Sequence, residues 1–345
     1  MSRDRQLAMM CTWAIPLLTL LTINHQWETL ASAQSGQPLP GIRYHVVHDW
    51  PVLPDGRDLG AVSGVGVDSH DNVIVFHRNE RNWPSSDELV TTPIALPTVT
   101  IFDGRTGQVL TEWGANQFAM PHGLTVDNQD NIWLTDVALQ QVYKFSRDGH
   151  LLMTLGERGV AGNDPAHFNR VTDVAVAPDG SFFVSDGYRN SRVMKFSRTG
   201  AFLMQWGTKG SGPGEFNVPH AITLDKRGRV YVADRQNDRV QIFDGSGRYI
   251  GEWKSREIGR PYGLRLGPDG TAYIADGGEQ PEIPPYRSGV AVVSQDGKQI
   301  YRLGRWGNYD GQFEVAHAIA IASDGSLYVA DINGKRVQKF APDAR

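Results

Sequence analysis

One pattern occurs six times along the chain, and a repeat of this kind limits the possible folds to rings, stacks and arrays. Each copy has an apolar strand, a turn rich in Asp, Asn or Gly, and a second apolar strand. The second strands read NVIVFHR at 72, NIWLTDV at 131, SFFVSDG at 181, RVYVADR at 229, TAYIADG at 271 and SLYVADI at 326. His77 stands at one register of the first copy, and aspartate stands there in the others: Asp136, Asp186, Asp234, Asp276 and Asp331.

Two further strands follow most of these pairs. A third strand such as QVYKFS or RVQIFD comes after a polar turn, and a fourth such as LLMTLG or FLMQWG comes after a glycine turn. Alternating apolar residues between turn residues indicate β-strands, and four short strands make one blade of a propeller. Because a blade cannot bury both of its faces alone, the sequence predicts an all-β fold, a closed six-bladed β-propeller over residues 61–345.

The last repeat ends after its third strand, at Phe340. The segment RYHVVHDWP at 43–51 has the pattern of a strand, so we expect it to supply the missing outer strand of that blade. Residues 34–60 are therefore interpreted as an N-terminal segment that closes the ring. Two Pro-rich stretches, 83–97 and 281–286, interrupt otherwise regular blades and are predicted to be loops.

The first 33 residues have the composition of a secretory signal peptide. Arg3 and Arg5 precede an apolar stretch, 7–23, and the small residues Ala-Ser-Ala occupy 31–33, where cleavage is expected. A single membrane anchor is the alternative, because the apolar stretch is almost long enough to span a bilayer. We expect an exported protein, periplasmic or secreted, with no stable membrane span once the signal is removed.

Charge and cysteine content exclude other classes of protein. The chain has 34 Lys and Arg against 38 Asp and Glu, and it contains no basic run. Since nucleic acids are bound by clustered basic residues, no nucleic-acid partner is predicted. The single cysteine, Cys11, lies in the predicted signal peptide, so the folded part has no intramolecular disulfide.

The repeat also predicts which residues share one level of the central channel. Histidine occurs in alternate blades at the position 14 residues before the aspartate register, and equivalent positions of a closed ring lie at one depth. Three imidazoles at one level predict a metal site, with zinc favoured, although iron, copper and nickel also bind imidazole. The alternative is that each histidine fills the channel or hydrogen-bonds in the core. The six residues at this position are Ser63, His122, Thr172, His220, Tyr262 and His317.

Arginine and tyrosine follow the aspartate register in three blades. Arg78 and Arg235 come one residue after it, and Tyr188 comes two residues after it. A guanidinium can hold a substrate carboxylate in a bidentate fork, and a phenol whose pKa is lowered by a nearby cation and a metal can act as a base. The alternative is that both arginines pair with blade aspartates as structural ties.

These residues resemble a known family over positions 62–340. The strings VSGVGVDSHDNVIVFHRNERNWP, MPHGLTVDNQDNIWLTDVALQQVYKF, TDVAVAPDGSFFVSDGYRNSRVMKF, VPHAITLDKRGRVYVADRQNDRVQIF and AHAIAIASDGSLYVADINGKRVQKF are similar to the lyase domain of peptidylglycine α-amidating monooxygenase. The motifs HR, PHG, SDGY, PH and ADR occur in that order with similar spacing. General NHL repeats would explain only the Asp-Gly rhythm, so the chain resembles a peptidyl-α-hydroxyglycine α-amidating lyase built on an NHL-type propeller.

The resemblance implies an activity and a set of roles. A carbon–nitrogen lyase of this family splits a peptidyl-α-hydroxyglycine into a peptide amide and glyoxylate. Tyr188 would be the base, and Arg78 and Arg235 would hold or orient the carboxylate of a peptide or small-molecule substrate. No monooxygenase domain is present, so a separate monooxygenase would supply the hydroxylated substrate. The implied zinc ligands are His122, His220 and His317.

The resemblance also implies a calcium site that this chain departs from. Its backbone ligands would be the carbonyl groups of Val65 and Leu124. The family has an aspartate after the third zinc histidine, and Ala318 replaces it here. Without that carboxylate the site is expected to be weak for a hard cation.

Two other functions remain open from sequence. A non-catalytic NHL-repeat propeller could serve as an extracytoplasmic binding module that recognises a peptide. A propeller lactonase is the second, but such enzymes draw oxygen ligands from Glu, Asp and Asn, whereas the central ring here is histidine. Bound metal separates the enzymes from a pure binding module, and glyoxylate release separates a lyase from a lactonase.

Overall fold

The computed structural model describes residues 43–86, 88–278, 286–298 and 300–343. Six antiparallel four-stranded sheets form its main part, so the predicted all-β, six-bladed propeller of NHL type is confirmed. The predicted signal peptide lies outside these residues, as does most of the 281–286 stretch. No helix within the described ranges is long and apolar enough to cross a membrane.

The strands are numbered in chain order, and those of each blade are given from the channel outwards. Blade one contains β2 (Val62–Val67), β3 (Asn72–His77), β4 (Val99–Asp103) and β5 (Val109–Trp113), and blade two contains β6 (Pro121–Val126), β7 (Ile132–Asp136), β8 (Gln141–Phe145) and β9 (Leu151–Leu155). Blade three contains β10 (Val171–Val176), β11 (Phe182–Asp186), β12 (Arg192–Phe196) and β13 (Phe202–Trp206).

Blade four contains β16 (Pro219–Leu224), β17 (Val230–Asp234), β18 (Arg239–Phe243) and β19 (Tyr249–Trp253), and blade five contains β20 (Pro261–Leu266), β21 (Ala272–Asp276), β22 (Gly289–Val293) and β23 (Ile300–Leu303). Blade six contains β26 (Ala316–Ile321), β27 (Leu327–Asp331), β28 (Arg336–Pro342) and β1 (Tyr44–Val47). The remaining elements are β14 (Thr208–Lys209), β15 (Glu215–Phe216), β24 (Arg305–Trp306), β25 (Gln312–Phe313) and 3₁₀ turns at Pro54–Gly56 and Arg235–Asn237.

The core lies between neighbouring blades. Each second strand is buried along its whole length because blades pack against both of its faces. Trp133 of blade two meets Phe182 of blade three with ring centroids 4.5 Å apart, and Phe76 of blade one meets Phe118 at 4.9 Å. The period-two apolar pattern therefore builds a continuous apolar layer around the ring.

The ring is closed by strands from both parts of the chain. Strand β1 pairs antiparallel with β28, with Tyr44 opposite Pro342 and Val47 opposite Lys339. The Tyr44 and Tyr273 hydroxyl groups lie 2.9 Å apart, which links this outer strand to blade five. Blade six thus joins a segment that precedes the first repeat to the last repeat.

The repeated aspartate ties the start of the first strand to the end of the second. In blade two, the Asp136 carboxylate accepts hydrogen bonds from the backbone N–H groups of Ala119 and Met120, at 2.6 and 2.9 Å. It also accepts from Ala138 and Leu139, both at 2.9 Å. These bonds fix the chain two residues before His122, so the motif that defines the repeat also positions the channel residues.

Candidate active site

Every first strand carries a β-bulge at the same register. The pairing with the second strand shifts, for example, between Val171 and Asp173, between Pro219 and Ala221, and between Ala316 and Ala318. A bulge inserts an unpaired residue and redirects its side chain. In all six blades the shift coincides with the position that the sequence analysis placed in the channel: Ser63, His122, Thr172, His220, Tyr262 and His317.

The three histidines of this layer lie together, as the spacing predicted. Each can present one ring nitrogen such that the three nitrogens are within 4.8 Å of one another. The ring centroids of His122 and His220 are 4.7 Å apart, and those of His122 and His317 are 5.1 Å apart. All three side chains are buried.

Hydrogen bonds to the next blade fix the orientation of each ring. Nδ1 of His122 lies 2.8 Å from the Thr172 carbonyl oxygen, and Nδ1 of His220 lies 2.7 Å from that of Tyr262. His317 makes the equivalent bond to Ser63 at 2.7 Å. Because a carbonyl can only accept, Nδ1 carries the proton and donates it, and each Nε2 keeps its lone pair. The donor set therefore fits a divalent metal held by three imidazoles.

Burial keeps these imidazoles neutral. It lowers the pKa of His317 to about 3 and the pKa values of His122 and His220 well below the usual value. The positive charges of Arg78 and Arg235 act in the same direction. Neutral imidazole is the form that binds zinc, copper, iron or nickel, so the site needs no deprotonation to bind a metal near neutral pH.

Tyr188 lies within hydrogen-bonding distance of two of the three histidines. Its hydroxyl is 3.0 Å from Nε2 of His122 and 3.1 Å from Nε2 of His220. The preceding Gly187 permits this approach, because a Cβ there would come within 2.0 Å of the Pro219 carbonyl oxygen. The phenol therefore shares its proton between two imidazole nitrogens.

The groups of the protein do not by themselves lower the pKa of the Tyr188 phenol. Burial raises the pKa of Tyr188, and the guanidinium groups of Arg235 and Arg78 oppose that effect only in part. The two cations and the bond from Arg235 to the hydroxyl, at 3.5 Å, reduce the cost of a phenolate without removing it.

Arg78 and Arg235 are both without an ion pair among the described residues. Arg78 is 1% exposed, donates from Nε to the Pro121 carbonyl oxygen at 2.8 Å, and leaves its Nη2 without a partner. Burial lowers its pKa to about 10, so it stays positive at neutral pH. A buried cation with an unused donor is the arrangement expected for binding an anionic ligand.

The blade aspartates pair with other arginines, which answers the alternative raised from the sequence. Arg192 pairs with Asp186 at 3.0 Å, and Arg239 pairs with Asp234 at 2.8 Å. Both arginines belong to third strands, which lie one strand further from the channel than the strands that carry the aspartates. The structural ties therefore involve a different set of arginines.

A cavity of about 690 Å³ opens above the histidine layer. Arg78, Tyr188, Arg235 and His317 line it, together with residues that the sequence analysis did not assign to the site. Trp83 is the main addition: its ring centroid is 4.9 Å from that of Tyr188, and the Arg78 guanidinium lies 5.5 Å above its ring. Its position in the HRNERNW string, five residues after Arg78, was the available signal.

Tyr262 is the second addition to the pocket. It stands at the histidine register, so the repeat located it in the channel without suggesting a role. The Arg235 guanidinium lies 4.7 Å from the Tyr262 ring and 5.1 Å from the Tyr188 ring. Arg235 is thereby held between two aromatic faces, which orients the guanidinium without neutralising it.

The two residues implied as backbone ligands of calcium occupy equivalent positions on blades one and two. Val65 is fully buried in β2, and Leu124 stands at the equivalent position of β6. The Leu124 carbonyl oxygen accepts a hydrogen bond from Arg265 at 2.8 Å. One of the two implied backbone ligands is thus already bonded to a cation of the protein.

Comparison with known folds supports the architecture. The DUF5128 family model, described as a 6-bladed beta-propeller, matches residues 162–256. A solved gluconolactonase from Xanthomonas campestris superposes with a TM-score of 0.58 at 16% identity, covering 91% of this chain and 93% of that one. At this identity the likeness shows the fold alone.

Sequence relatives identify the family. The chain is 37% identical over 320 residues to peptidyl-glycine alpha-amidating monooxygenase B of Xenopus laevis, covering 85% of this chain and spanning only 35% of that protein's length. It is 33% identical over 308 residues to peptidyl-alpha-hydroxyglycine alpha-amidating lyase 2 of Drosophila melanogaster, covering 83% of this chain and 72% of the relative. The resemblance stated from the motifs is confirmed. The chain belongs to the peptidyl-α-hydroxyglycine α-amidating lyase family.

Proposed function

We propose that this protein is a zinc-dependent lyase that cleaves the C–N bond of a peptidyl-α-hydroxyglycine to release a peptide amide and glyoxylate. One observation carries the proposal. A buried guanidinium with no ion pair among the described residues lines a cavity that reaches a layer of three histidines, whose ring nitrogens converge. The free Nη2 of Arg78 and the phenol of Tyr188 line one cavity with His317. Such a pocket offers a carboxylate site beside groups that can move a proton.

The two arginines account for recognition of the substrate carboxylate. Arg78 is fixed by its bond to Pro121 and retains an unused donor, so an entering carboxylate replaces no existing partner. Arg235 is held between the rings of Tyr188 and Tyr262. A carboxylate bridging these guanidiniums would bring the neighbouring carbinol carbon close to the Tyr188 hydroxyl.

The reaction requires one net proton transfer within the substrate. A base removes the proton of the carbinol hydroxyl, the oxygen electron pair forms the C=O bond of glyoxylate, and the C–N bond breaks. The leaving nitrogen takes a proton and becomes the amide NH₂, so atoms and charge balance without another reactant. Tyr188 is the proposed base, because its oxygen faces two cations and lies 3.0 and 3.1 Å from the two Nε2 atoms that would hold the metal.

His122, His220 and His317 are the proposed metal ligands, through Nε2. Zinc is the metal we propose, because three neutral imidazoles that converge at one level of the channel are a known catalytic arrangement. When bound, the ion would act as a Lewis acid that polarises a substrate oxygen. The carbonyl groups of Thr172, Tyr262 and Ser63 keep the three rings in position for this role.

The wild-type protein is expected to release glyoxylate from an N-acyl-α-hydroxyglycine. Metal-loaded protein and a buffer blank would be compared by quantifying glyoxylate and amide at equal times, with turnover in the ordinary range of about 1–10³ s⁻¹. Equal amounts of the two products support the lyase. If the metal-loaded protein is no faster than buffer, the lyase proposal fails, and lactone hydrolysis by the same sample would favour a hydrolase instead.

Replacing Arg78 with methionine is expected to lower kcat/KM by about 100-fold for a substrate with a free carboxylate, because a buried charged contact is lost. The matched control is the same substrate with its carboxylate converted to an amide. For that compound, wild type and Arg78→Met should differ little. An equal loss on both substrates would mean that Arg78 supports the fold rather than recognition.

We also propose an exported location and a separate supplier of substrate. The signal-peptide pattern at 1–33 motivates the first proposal, and cleavage after position 33 in the mature protein would test it. The second follows from the chemistry, since an α-hydroxyglycine must be made by hydroxylation of a glycine. That reaction belongs to the class of the monooxygenases named among the relatives.

A further inference from the structure

A side-chain cation crosses the channel on the side of the histidine layer away from the 690 Å³ cavity. Arg265, on the first strand of blade five, donates from Nη2 to the Leu124 carbonyl oxygen at 2.8 Å and to the Thr125 hydroxyl at 3.0 Å. Its Nη1 donates to the Leu264 carbonyl oxygen at 2.8 Å. The guanidinium therefore links blade five to blade two across the ring.

The same guanidinium meets a buried carboxylate of blade three. Nη1 of Arg265 lies 3.3 Å from Oδ2 of Asp173, whose side chain is 7% exposed. The Asp173 Oδ2 also accepts the backbone N–H of Ile222 at 3.2 Å, and its Oδ1 has no hydrogen-bond partner among the residues that the structure describes. One positive side chain thus holds carbonyl, hydroxyl and carboxylate oxygens from three different blades.

Asp173 occupies the register directly after the histidine layer. Blade six has Ala318 at this position, where the family resemblance implies an aspartate that binds calcium, so the carboxylate in this chain stands on blade three instead. The other blades have small residues there, which keep the channel wide enough for the Arg265 side chain. These are Gly64, Gly123, Ala221 and Gly263.

We propose that the Arg265 guanidinium serves as a built-in cation at this level of the channel and that the protein has no calcium site there. A hard divalent cation needs six to eight oxygen ligands. Here one implied ligand, the Leu124 carbonyl, is bonded to Arg265, and another, the carboxylate of blade six, is replaced by Ala318. A second positive ion beside the guanidinium would also be repelled.

Arg265 also contacts two further cavities of the channel. It lines both a cavity of about 20 Å³ next to the histidines and a cavity of about 250 Å³ at the other end of the channel. Its guanidinium bonds to blades two and three at this level, so we expect ligands of the histidine layer to enter through the 690 Å³ cavity, on the face that carries Trp83 and Arg235.

Calcium content and thermal unfolding test this proposal without using lyase activity, so its failure is separate from failure of the proposed function. Wild-type protein expressed with calcium in the medium should contain less than about 0.1 calcium per chain by mass spectrometry, and 5 mM CaCl₂ should leave its Tm unchanged. About one calcium per chain, with a Tm that rises in CaCl₂, would overturn the proposal.

Three variants sharpen the test. Arg265→Met should lower the Tm by about 5–10 °C, because Asp173 loses its buried partner. Arg248→Met, which breaks an exposed pair with Asp244, is the matched control and should shift it by less than about 2 °C. Arg265→Met/Ala318→Asp should gain a Tm increase of a few degrees in CaCl₂ that MgCl₂ does not reproduce. Equal Tm values for Arg265→Met and the control would contradict a cation role for Arg265.

Discussion

Replacing Tyr188 with phenylalanine is expected to lower kcat for glyoxylate release by about 10³-fold, the usual contribution of a positioned general base. The ring would still pack against Trp83 and Arg235, so the pocket keeps its shape. The hydroxyl that lies 3.0 and 3.1 Å from the two histidine nitrogens would be lost. Steady-state rates with metal-loaded protein measure the effect, and KM should change much less than kcat.

A matched control removes a buried phenol elsewhere. Tyr143 donates its hydroxyl to Gln141 at 2.7 Å inside blade two, and it is not among the described residues that line the 690 Å³ cavity. Tyr143→Phe should therefore retain kcat within about threefold while losing a comparable hydrogen bond. A Tyr188→Phe protein that keeps its metal and retains the wild-type rate would remove Tyr188 from the proposed base role.

The repeat predicted the positions of the histidines because each inner hairpin has the same construction. The Asp136 carboxylate accepts hydrogen bonds from the backbone just before His122, and the bulge places the His122 side chain in the channel. The same hydrogen bonds and the same bulge recur in the other histidine blades, as with Asp234 and Asp331. A constant count of 14 residues between histidine and aspartate therefore reports a constant position in space.

Other features of the site depend on contacts that no repeat encodes. Burial under Trp83 and the neighbouring blades raises the pKa of Tyr188, and spacing along the sequence cannot reveal that burial. Arg265 bonds to Asp173 and Leu124, which lie 92 and 141 residues away in the chain. Only blade five has arginine at that register, so a comparison of blades gives no reason to connect these residues.

The same limit explains why the sequence left two roles open for Arg78 and Arg235, binding of a substrate or an ion pair with a blade aspartate. Arg78 and Arg235 stand beside the aspartate register in sequence, which made an ion pair with those carboxylates plausible. In the structure the carboxylates Asp186 and Asp234 are turned toward the third strands, where Arg192 and Arg239 reach them. The register placed Arg78 and Arg235 beside the channel, and both line the 690 Å³ cavity, while only the fold shows that neither has an ion pair within the described part of the chain.

Replacing His220 with alanine is expected to remove both the metal and the activity. The wild-type protein should contain about one zinc per chain, whereas two remaining imidazoles bind zinc too weakly to retain it through purification, leaving less than about 0.1 per chain. Glyoxylate release should fall by at least about 10³-fold. Mass spectrometry of the metal and the glyoxylate assay on the same samples give both values.

His167→Ala is the matched control, because His167 is partly exposed, pairs with Asp164 and Glu157, and lies outside the channel. It should retain zinc and activity.

Zinc retained in His220→Ala would mean that the ion binds elsewhere, and no metal in the wild-type protein would contradict the catalytic role of the histidine layer. Loss of zinc with retained glyoxylate release would instead separate the metal from the chemistry and leave Tyr188 and the two arginines as the catalytic groups. Since all three histidines share one bonding pattern through Nδ1, the expected loss should be similar for His122→Ala.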